Sequence, residues 1–259
     1  MQRMTGWIFL CIIRILEWDE RRKTMPNEVL LIISLIVIYS LVVLAYKFLG
    51  KTGLYCWTVI ATIAANIEVL IVVDAFGMEM TLGNILFAST FLVTDILSEK
   101  EGKKESQKAV IIGIAASVVF VIISQSWLLY TPNENDWVSP SISAIFKNTP
   151  RLMFASLVVY AFVQMFDVFL YHKIWNWTNR ICKDNSKYLW LRNNGATMIS
   201  QLLNTVLYTF AAFYGVYDMK TLLNIVISTF VIYMVTSLLD TPAVYVARKI
   251  SVNKERNNI

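Results

Sequence analysis

The chain has 259 residues, of which 57% are hydrophobic and 16% are charged, and its formal net charge is +5. Soluble domains have roughly 45–50% apolar and about 25% charged residues, so this composition excludes a water-soluble globular enzyme, a disordered chain and a disulfide scaffold. The basic residues lie between apolar segments rather than in one patch, which argues against nucleic acid as a partner. The composition predicts an all-α, polytopic helical bundle in the lipid bilayer, with six to seven transmembrane segments.

The first 24 residues differ from the rest of the chain. Residues 7–16 are apolar but too short to cross a bilayer, and Arg14 interrupts them. We interpret 1–24 as an extension that is either an interfacial helix or the result of a misassigned start, with translation beginning at Met25. Residues 25–250 are then a single transmembrane domain, and 251–259 are a cytoplasmic tail.

Seven apolar segments follow, most of them close to the roughly 20 residues that a membrane-spanning helix needs. They are 29–46, 54–73, 82–94, 109–130, 152–171, 195–217 and 221–239. The third segment is short, so it is either a short span or a re-entrant element covered by its neighbours. Glu99, which Lys100 follows, is expected at a solvated helix end, and Asp240 is expected just after the last segment.

The loops between these segments alternate in positive charge. Fifteen Lys and Arg residues lie in four regions, 47–51, 100–108, 173–192 and 248–256, whereas the intervening loops contain three. Because loops rich in Lys and Arg remain in the cytoplasm, these four regions and the C-terminus are predicted to be cytoplasmic.

Polar side chains inside the apolar segments are the candidate functional residues, because such groups are costly in lipid. Gln164 and Asp167 share a face of the fifth segment, and Gln201 and Asn204 belong to a polar stripe on the sixth. The alternative is that these groups only join helices by hydrogen bonds. The candidate substrate-binding residues are Asn66, Asp95, Gln164, Asp167, Asn194, Gln201 and Asn204, and the candidate stacking residues are Phe91, Phe166 and Tyr208.

Catalytic and metal-binding motifs are absent from the sequence. It contains one histidine, His172, and no HExxH, GxSxG or phosphate-binding loop. Its three cysteines are far apart, so neither a disulfide nor a zinc site is indicated. We therefore predict that the protein is not an enzyme and has neither a cofactor nor a metal.

Four strings point to a family. They are ANIEVL (65–70), LGNILFASTFLVTDILSEKEGKKES (82–106), LWLRNNGATMISQLLNT (189–205) and LLDTPAVYVARK (238–249). In this order, and over about residues 27–250, the chain resembles the bacterial queuosine precursor transporters, also called the vitamin uptake transporter family. Where that family has an aspartate, this chain has Asn204, which puts a charged role at this position in doubt.

The resemblance implies import of a small-molecule deazaguanine substrate for tRNA modification. The candidates are the cyano precursor, the aminomethyl precursor and queuine. It also implies a multi-pass protein of the bacterial inner membrane, similar to the substrate-binding components of vitamin importers. The residue types agree, since a carboxylate accepts hydrogen bonds from the N–H groups of a guanine-like edge and an amide donates to its carbonyl. Our hypothesis is a pocket that is open to the outside.

The sequence is also compatible with an alternative function. The chain could be a substrate-capture subunit for another vitamin or nucleobase, working with a separate energising module. Ala61 and Ala65 form a pair of small residues one helical turn apart, which suits close contact within the protein, with a second copy or with such a module.

Overall fold

The structure is a computed structural model, and it describes residues 25–147, 150–182 and 187–250. The predicted N-terminal extension and C-terminal tail lie outside the described residues. The helices are α1 (Asn27–Glu68), α2 (Gly83–Lys100), α3 (Lys103–Trp127), α4 (Ser139–Phe146), α5 (Pro150–Cys182), α6 (Leu189–Phe213) and α7 (Met219–Lys249), and the strands are β1 (Val72–Ala75) and β2 (Met78–Thr81). Among the described residues, five helices (α1, α3, α5, α6 and α7) are long and apolar enough to cross a membrane. The predicted all-α, polytopic fold class is confirmed.

Helix α1 folds back on itself at Gly50. Its 42 residues would extend over about 63 Å if straight, but Gly50 has φ 61° and ψ −146°, which side chains with a Cβ rarely adopt. A Cβ on Gly53 would overlap the carbonyl oxygen of Ala45, although residues eight apart in a straight helix are about 12 Å apart. Two antiparallel halves therefore supply the first two predicted segments.

A short antiparallel hairpin follows α1, and the sequence analysis did not predict it. Strands β1 and β2 pair from Val72 with Thr81 to Ala75 with Met78. Phe76 and Gly77 form the turn with φ 54° and φ 70°, the positive values that two-residue hairpin turns require. The Phe76 N–H donates to Glu28 Oε1 over 3.0 Å, so the hairpin lies beside the start of α1.

Helix α2 is the central helix of the bundle. Neighbouring helices bury it on all sides from Gly83 to Ser98 apart from Phe87, which is partly exposed. Its start packs closely on α1, since a Cβ at Gly83 would lie 2.9 Å from the Ala65 carbonyl oxygen. The predicted third segment is thus an 18-residue helix, which extends beyond Thr94 and includes Asp95.

The pair of small residues on α1 contacts α2 of the same chain. Ala61 is fully buried and Ala65 is 8% exposed, and both pack against Leu86. Of the alternatives left open by the sequence, contact within the protein is the one that these two residues make, because the small side chains allow two helices of the same chain to approach closely.

The two ends of the bundle differ in charge. One end, called the basic end here, contains the Gly50 turn, the α2–α3 junction, the end of α5, the start of α6 and the end of α7. There Lys100 Nζ donates to the carbonyl oxygens of Arg248 and Ile250 over 3.1 and 2.9 Å. The other end, the hairpin end, contains the β-hairpin, α4 and the α6–α7 turn. The loops that are rich in Lys and Arg thus lie at one end of the bundle, and the loops that are poor in them lie at the other.

Helix α7 continues past its predicted end. It includes Pro242 and ends at Lys249, and Asp240 is only 1% exposed. The expectation that Asp240 lies beyond the membrane segment is therefore wrong, since this carboxyl group is inside the bundle.

Candidate functional site

A cavity of about 90 Å³ lies between the helices in the half of the bundle nearer the hairpin end. This volume exceeds the roughly 10–15 Å³ that one water molecule requires. The wall combines amide, hydroxyl and aromatic groups, and includes Asn66, Asn84, Phe87, Tyr160, Asn204, Tyr208 and Tyr233. Such a wall, apolar with a few polar groups, is typical of small-molecule sites.

Three of the predicted site residues line this cavity, namely Asn66, Asn204 and Tyr208. Asn66 Nδ2 donates to the Thr62 carbonyl oxygen over 2.7 Å, which uses one of its amide hydrogens. The Tyr208 hydroxyl is buried and has no hydrogen-bond partner among the described residues. An unpartnered buried hydroxyl costs free energy unless a ligand or water satisfies it.

Four of the wall residues named above were not predicted from the sequence, namely Asn84, Phe87, Tyr160 and Tyr233. Asn84 Oδ1 accepts hydrogen bonds from Thr81 Oγ1 over 3.2 Å and from the Tyr233 hydroxyl over 3.3 Å. Asn84 occurs at the start of the family-like string LGNILF, which was a signal that this position mattered. Tyr233 is in an uncharged, apolar segment and gave no such signal.

The aromatic part of the wall centres on Phe87. Its ring lies edge-on to Phe91 at 5.6 Å and to Tyr160 at 6.1 Å between centroids. Phe91 is fully buried behind Phe87 and packs against aliphatic side chains. Phe166 stacks on the exposed Phe162 at 6.4 Å, so it lies on the outer face of α5, away from the cavity.

Three carboxyl groups lie deeper in the bundle, and we call Asp95, Asp167 and Asp240 the carboxylate layer. All three are at most 1% exposed, and they are close enough to interact electrostatically. Asp95 Oδ2 accepts from Thr197 Oγ1 over 3.2 Å, and Asp240 Oδ1 accepts from Asn193 Nδ2 over 2.7 Å. Helices α2, α5 and α7 therefore each bring one carboxyl group to the same region.

This layer lies between the cavity and the basic end. Asp167 follows Tyr160, a cavity residue, by seven positions, which is about 10 Å along a helix. Gln164 lies between them and donates from Nε2 to Thr90 Oγ1 over 2.6 Å. Gln201 is 1% exposed, and its Oε1 has no partner among the described residues. The carboxylate layer and the level next to it thus contain four of the predicted residues, namely Asp95, Gln164, Asp167 and Gln201.

Asn194 has a different environment from the other predicted residues. Its Nδ2 donates to the Trp190 carbonyl oxygen over 2.9 Å and to Thr241 Oγ1 over 2.7 Å. Its Oδ1 accepts from Ser237 Oγ over 3.4 Å. The side chain joins α6 to α7, which agrees with the helix-joining alternative of the sequence analysis.

A buried ionic cluster, called the Glu99 network here, closes the basic end. Glu99 accepts from Arg192 Nη2 over 2.7 and 2.8 Å, and from the Tyr171 hydroxyl over 3.0 Å. Arg248 Nε lies 3.4 Å from Glu99 Oε1. The guanidinium of Arg192 lies 4.3 Å from the ring centroid of Trp175, an arrangement that favours a cation over a π face.

The Glu99 network corrects two expectations. Glu99 is not at a solvated helix end, since its side chain is only 4% exposed. The guanidinium of Arg192 lies over the ring of Trp175, which is partly buried. Arg192 itself was counted only as a loop charge, although it is fully buried.

Comparisons with known proteins agree with the resemblance. Residues 81–247 match a family model described as "Putative vitamin uptake transporter". A protein of Bacillus subtilis (strain 168) named "Probable queuosine precursor transporter" is 37% identical over 234 residues, which cover 90% of this chain and 100% of that protein. No solved structure matches. The chain therefore belongs to this family of vitamin uptake transporters, and it is a membrane transporter rather than an enzyme.

Proposed function

We propose that this chain imports a queuosine precursor, a deazaguanine base, across the inner membrane of a bacterium for use in tRNA modification. The name of the full-length relative supports this substrate class. The structural observation that supports it is the cavity near the hairpin end, where three amide side chains and an unpartnered hydroxyl stand beside aromatic rings.

The cavity offers chemistry that suits this base. A guanine-like edge presents N–H donors next to a carbonyl acceptor, and an Asn amide presents both a donor and an acceptor. Asn66, Asn84 and Asn204 can therefore bond such an edge from different helices, and Phe87 or Tyr208 can contact the ring face. A neutral base needs no charged partner here, which agrees with Asn rather than Asp at position 204.

The topology that we propose has seven crossings. The two halves of α1, together with α2, α3, α5, α6 and α7, each cross once, and the basic end faces the cytoplasm. The C-terminus is then cytoplasmic and the cavity faces outward. A base bound there would next meet Gln164 and the carboxylate layer, whose oxygens can accept from its N–H groups as it moves inward.

The test is a rescue experiment in cells. A bacterial strain that cannot make deazaguanines and lacks its own importer would express the full chain, and queuosine in its tRNA would be measured at low external cyano precursor. We expect the wild type to restore queuosine. Asn204→Ala should need about fivefold more precursor, since one hydrogen bond contributes about 1 kcal/mol.

A matched control separates the site from general effects. Asn224 is an exposed amide on α7, so Asn224→Ala should behave like the wild type. If queuosine stays absent while the wild-type protein is present in the membrane, import of this substrate is contradicted. If the purified protein then binds the precursor without transporting it, the alternative of a capture subunit with an energising module is supported instead.

A further inference from the structure

The carboxylate layer contains most of the unsatisfied polar atoms of the described chain. Eight buried side-chain nitrogen and oxygen atoms lack a hydrogen-bond partner among the described residues, and six of them lie in or beside this layer. These six are Asp95 Oδ1, both carboxyl oxygens of Asp167, Asn193 Oδ1, Ser200 Oγ and Gln201 Oε1. All six are oxygen atoms that can accept a hydrogen bond, and only one of them, Ser200 Oγ, also carries a donor, which lies beside Asp167.

An excess of acceptors calls for a positively charged or hydrogen-donating ligand. The groups that do bond to Asp95 and Asp240 are neutral, a hydroxyl and an amide. The nearest cations, Arg192 and Arg248, are bound to Glu99. Three ionised carboxylates at full burial would be costly without a compensating charge.

Two kinds of ligand would supply that charge, a metal cation and a proton. Among the described residues, no group of three or more His, Cys, Asp or Glu side chains is arranged to hold a metal ion. A proton requires only one carboxyl oxygen and a neighbouring acceptor. The proton is therefore the ligand that needs the fewest partners, and the transport assay separates it from sodium, which also binds to amide and hydroxyl oxygens.

We propose that the carboxylate layer is a proton-binding site, centred on Asp167, that couples substrate import to the proton gradient. Asp167 is chosen because neither of its carboxyl oxygens has a partner at hydrogen-bond distance, although the Ser200 hydroxyl lies beside it as a neutral donor. A proton enters from the cavity side and converts one carboxylate to a carboxylic acid. It leaves toward the basic end, which regenerates the carboxylate. This inference rests on the proposed function.

The charged and titratable groups around Asp167 come from the neighbouring helices. Asp95 of α2 and Asp240 of α7 interact with it electrostatically, and Tyr39 of α1 lies near these two carboxyl groups. Further toward the basic end are the remaining groups, namely Glu99 of α2, Lys103 of α3, Tyr171 and His172 of α5 and Arg192 of α6. The cations of this set lie toward the basic end, where Arg192 binds Glu99 and Lys103 lies 5.6 Å from the Phe169 ring. Toward the cavity, the polar groups that precede Asp167 are neutral, namely Gln164 and Thr90.

The test uses the purified full chain in liposomes with the radiolabelled cyano precursor and no sodium. If one proton moves with each base, an outside-acid gradient of one pH unit should sustain about tenfold accumulation, the equivalent of 1.36 kcal/mol. A protonophore should abolish it. In Asp167→Asn, the accumulation with the pH gradient should equal the accumulation without it, and this ratio is independent of any loss in substrate binding. Glu79→Gln, an acid-to-amide change at an exposed position of β2, should behave like the wild type.

Several outcomes would overturn the proposal. The proposal is overturned if accumulation is independent of the pH gradient or depends on a sodium gradient. It is also overturned if gradient-driven accumulation persists in Asp167→Asn. If the wild type neither accumulates nor exchanges the base, the proposed function fails separately. The proton site is then decided by infrared spectroscopy of the purified protein. The carbonyl band of a buried protonated carboxyl group must be present in the wild type and smaller in Asp167→Asn, and its absence overturns the proposal.

Discussion

The cavity near the hairpin end and the Glu99 network at the basic end use the same helices in opposite ways. Helices α2, α5, α6 and α7 contribute to both. In the network, Glu99 is bonded by donors from three other helices. At the cavity and the layer beneath it, Tyr208 and Asp167 are buried with unpartnered oxygens. Intramembrane polar groups of similar type therefore divide into two kinds, those that hold helices together and those that are available to a ligand.

This difference follows from hydrogen-bond energetics. A satisfied buried group gains little from a ligand, whereas breaking its bonds costs the full desolvation of both partners. An unsatisfied buried group already bears that cost, so a ligand that pairs with it recovers free energy. Substitutions at the basic end should therefore reduce stability, and substitutions at the cavity should mainly reduce transport.

We expect the largest effect, a loss of stability, from a substitution in the Glu99 network at the basic end. Arg192→Met retains the aliphatic part of the side chain but removes the charge that pairs with Glu99. We expect the free energy of unfolding in detergent to fall by about 3 kcal/mol, since the buried Glu99 then has only the more distant and partly exposed Arg248 as a cationic partner. Glu99→Gln combined with Arg192→Met should recover part of this loss. Equal stability of the single and double variants would contradict the role of the charge.

A second change tests packing beside the cavity. A Cβ at Gly113 would overlap the Tyr160 hydroxyl and lie 2.9 Å from Thr58 Cγ2. Gly113→Ala should push Tyr160 into the cavity and raise the half-saturating precursor concentration for uptake about tenfold, equivalent to about 1.4 kcal/mol of overpacking strain. Tyr160→Phe in the same chain removes the overlapping hydroxyl and should restore part of the uptake. If Gly113→Ala transports normally, the cavity is not the site.

The third change removes an unpartnered group. Tyr208→Phe deletes only the hydroxyl, so we expect unchanged stability and a roughly fivefold weaker affinity for the base, about 1 kcal/mol. Uptake kinetics and the unfolding midpoint of the same preparation give both quantities. A fall in stability with unchanged uptake would place Tyr208 with the structural groups instead.

The smallest effect is expected at Asp218, the residue that precedes α7 at the hairpin end. Its carboxylate accepts from the Lys220 and Thr221 N–H groups over 3.1 and 3.4 Å and from the Thr221 hydroxyl over 2.5 Å. The bond from the Thr221 hydroxyl is the main cause that lowers the pKa of Asp218 below its usual value. Asp218→Ala should therefore lower the melting temperature slightly at neutral pH, without affecting uptake.

The pH dependence of the stability tests the role of the Asp218 carboxylate at the start of α7. Because the pKa of Asp218 is lowered in the folded state, its stabilising contribution is complete above the usual carboxyl pKa of about 4. It is lost as the pH falls through the lower folded value. The difference between wild type and Asp218→Ala should vanish at acid pH, and a difference that grows there would contradict this assignment.

The sequence predicted the bundle well because apolar length and positive charge depend on local composition. The separation of Lys and Arg to one end followed from the alternating loops, and the polar stripe with Gln164 and Asp167 was visible at helical spacing. The β-hairpin was missed because its strands are only four residues long and follow an apolar helix directly. The turn at Phe76 and Gly77 was its one local signal.

Whether a buried polar group is satisfied could not be predicted, since its partners come from distant parts of the chain. Glu99 looked solvated because Lys100 follows it, but Arg192 is 93 positions away and removes it from water. Asn194 was predicted to bind substrate because it lies on the same polar face of α6 as Gln201, but its amide donates a hydrogen bond to Thr241. Phe166 and Phe91 have the right residue type, and only their packing places them outside the cavity.

The burial of α2 on all sides has a consequence for biosynthesis. This helix leaves the ribosome before α5, α6 and α7, yet those helices supply the partners of Asp95 and Glu99. Until they arrive, two carboxyl groups and several hydroxyls of α2 have no protein environment to enter, and lipid is a poor substitute for one. A nascent chain that ends after α3 is therefore incomplete, and its α2 has no buried environment until the second half of the chain is made.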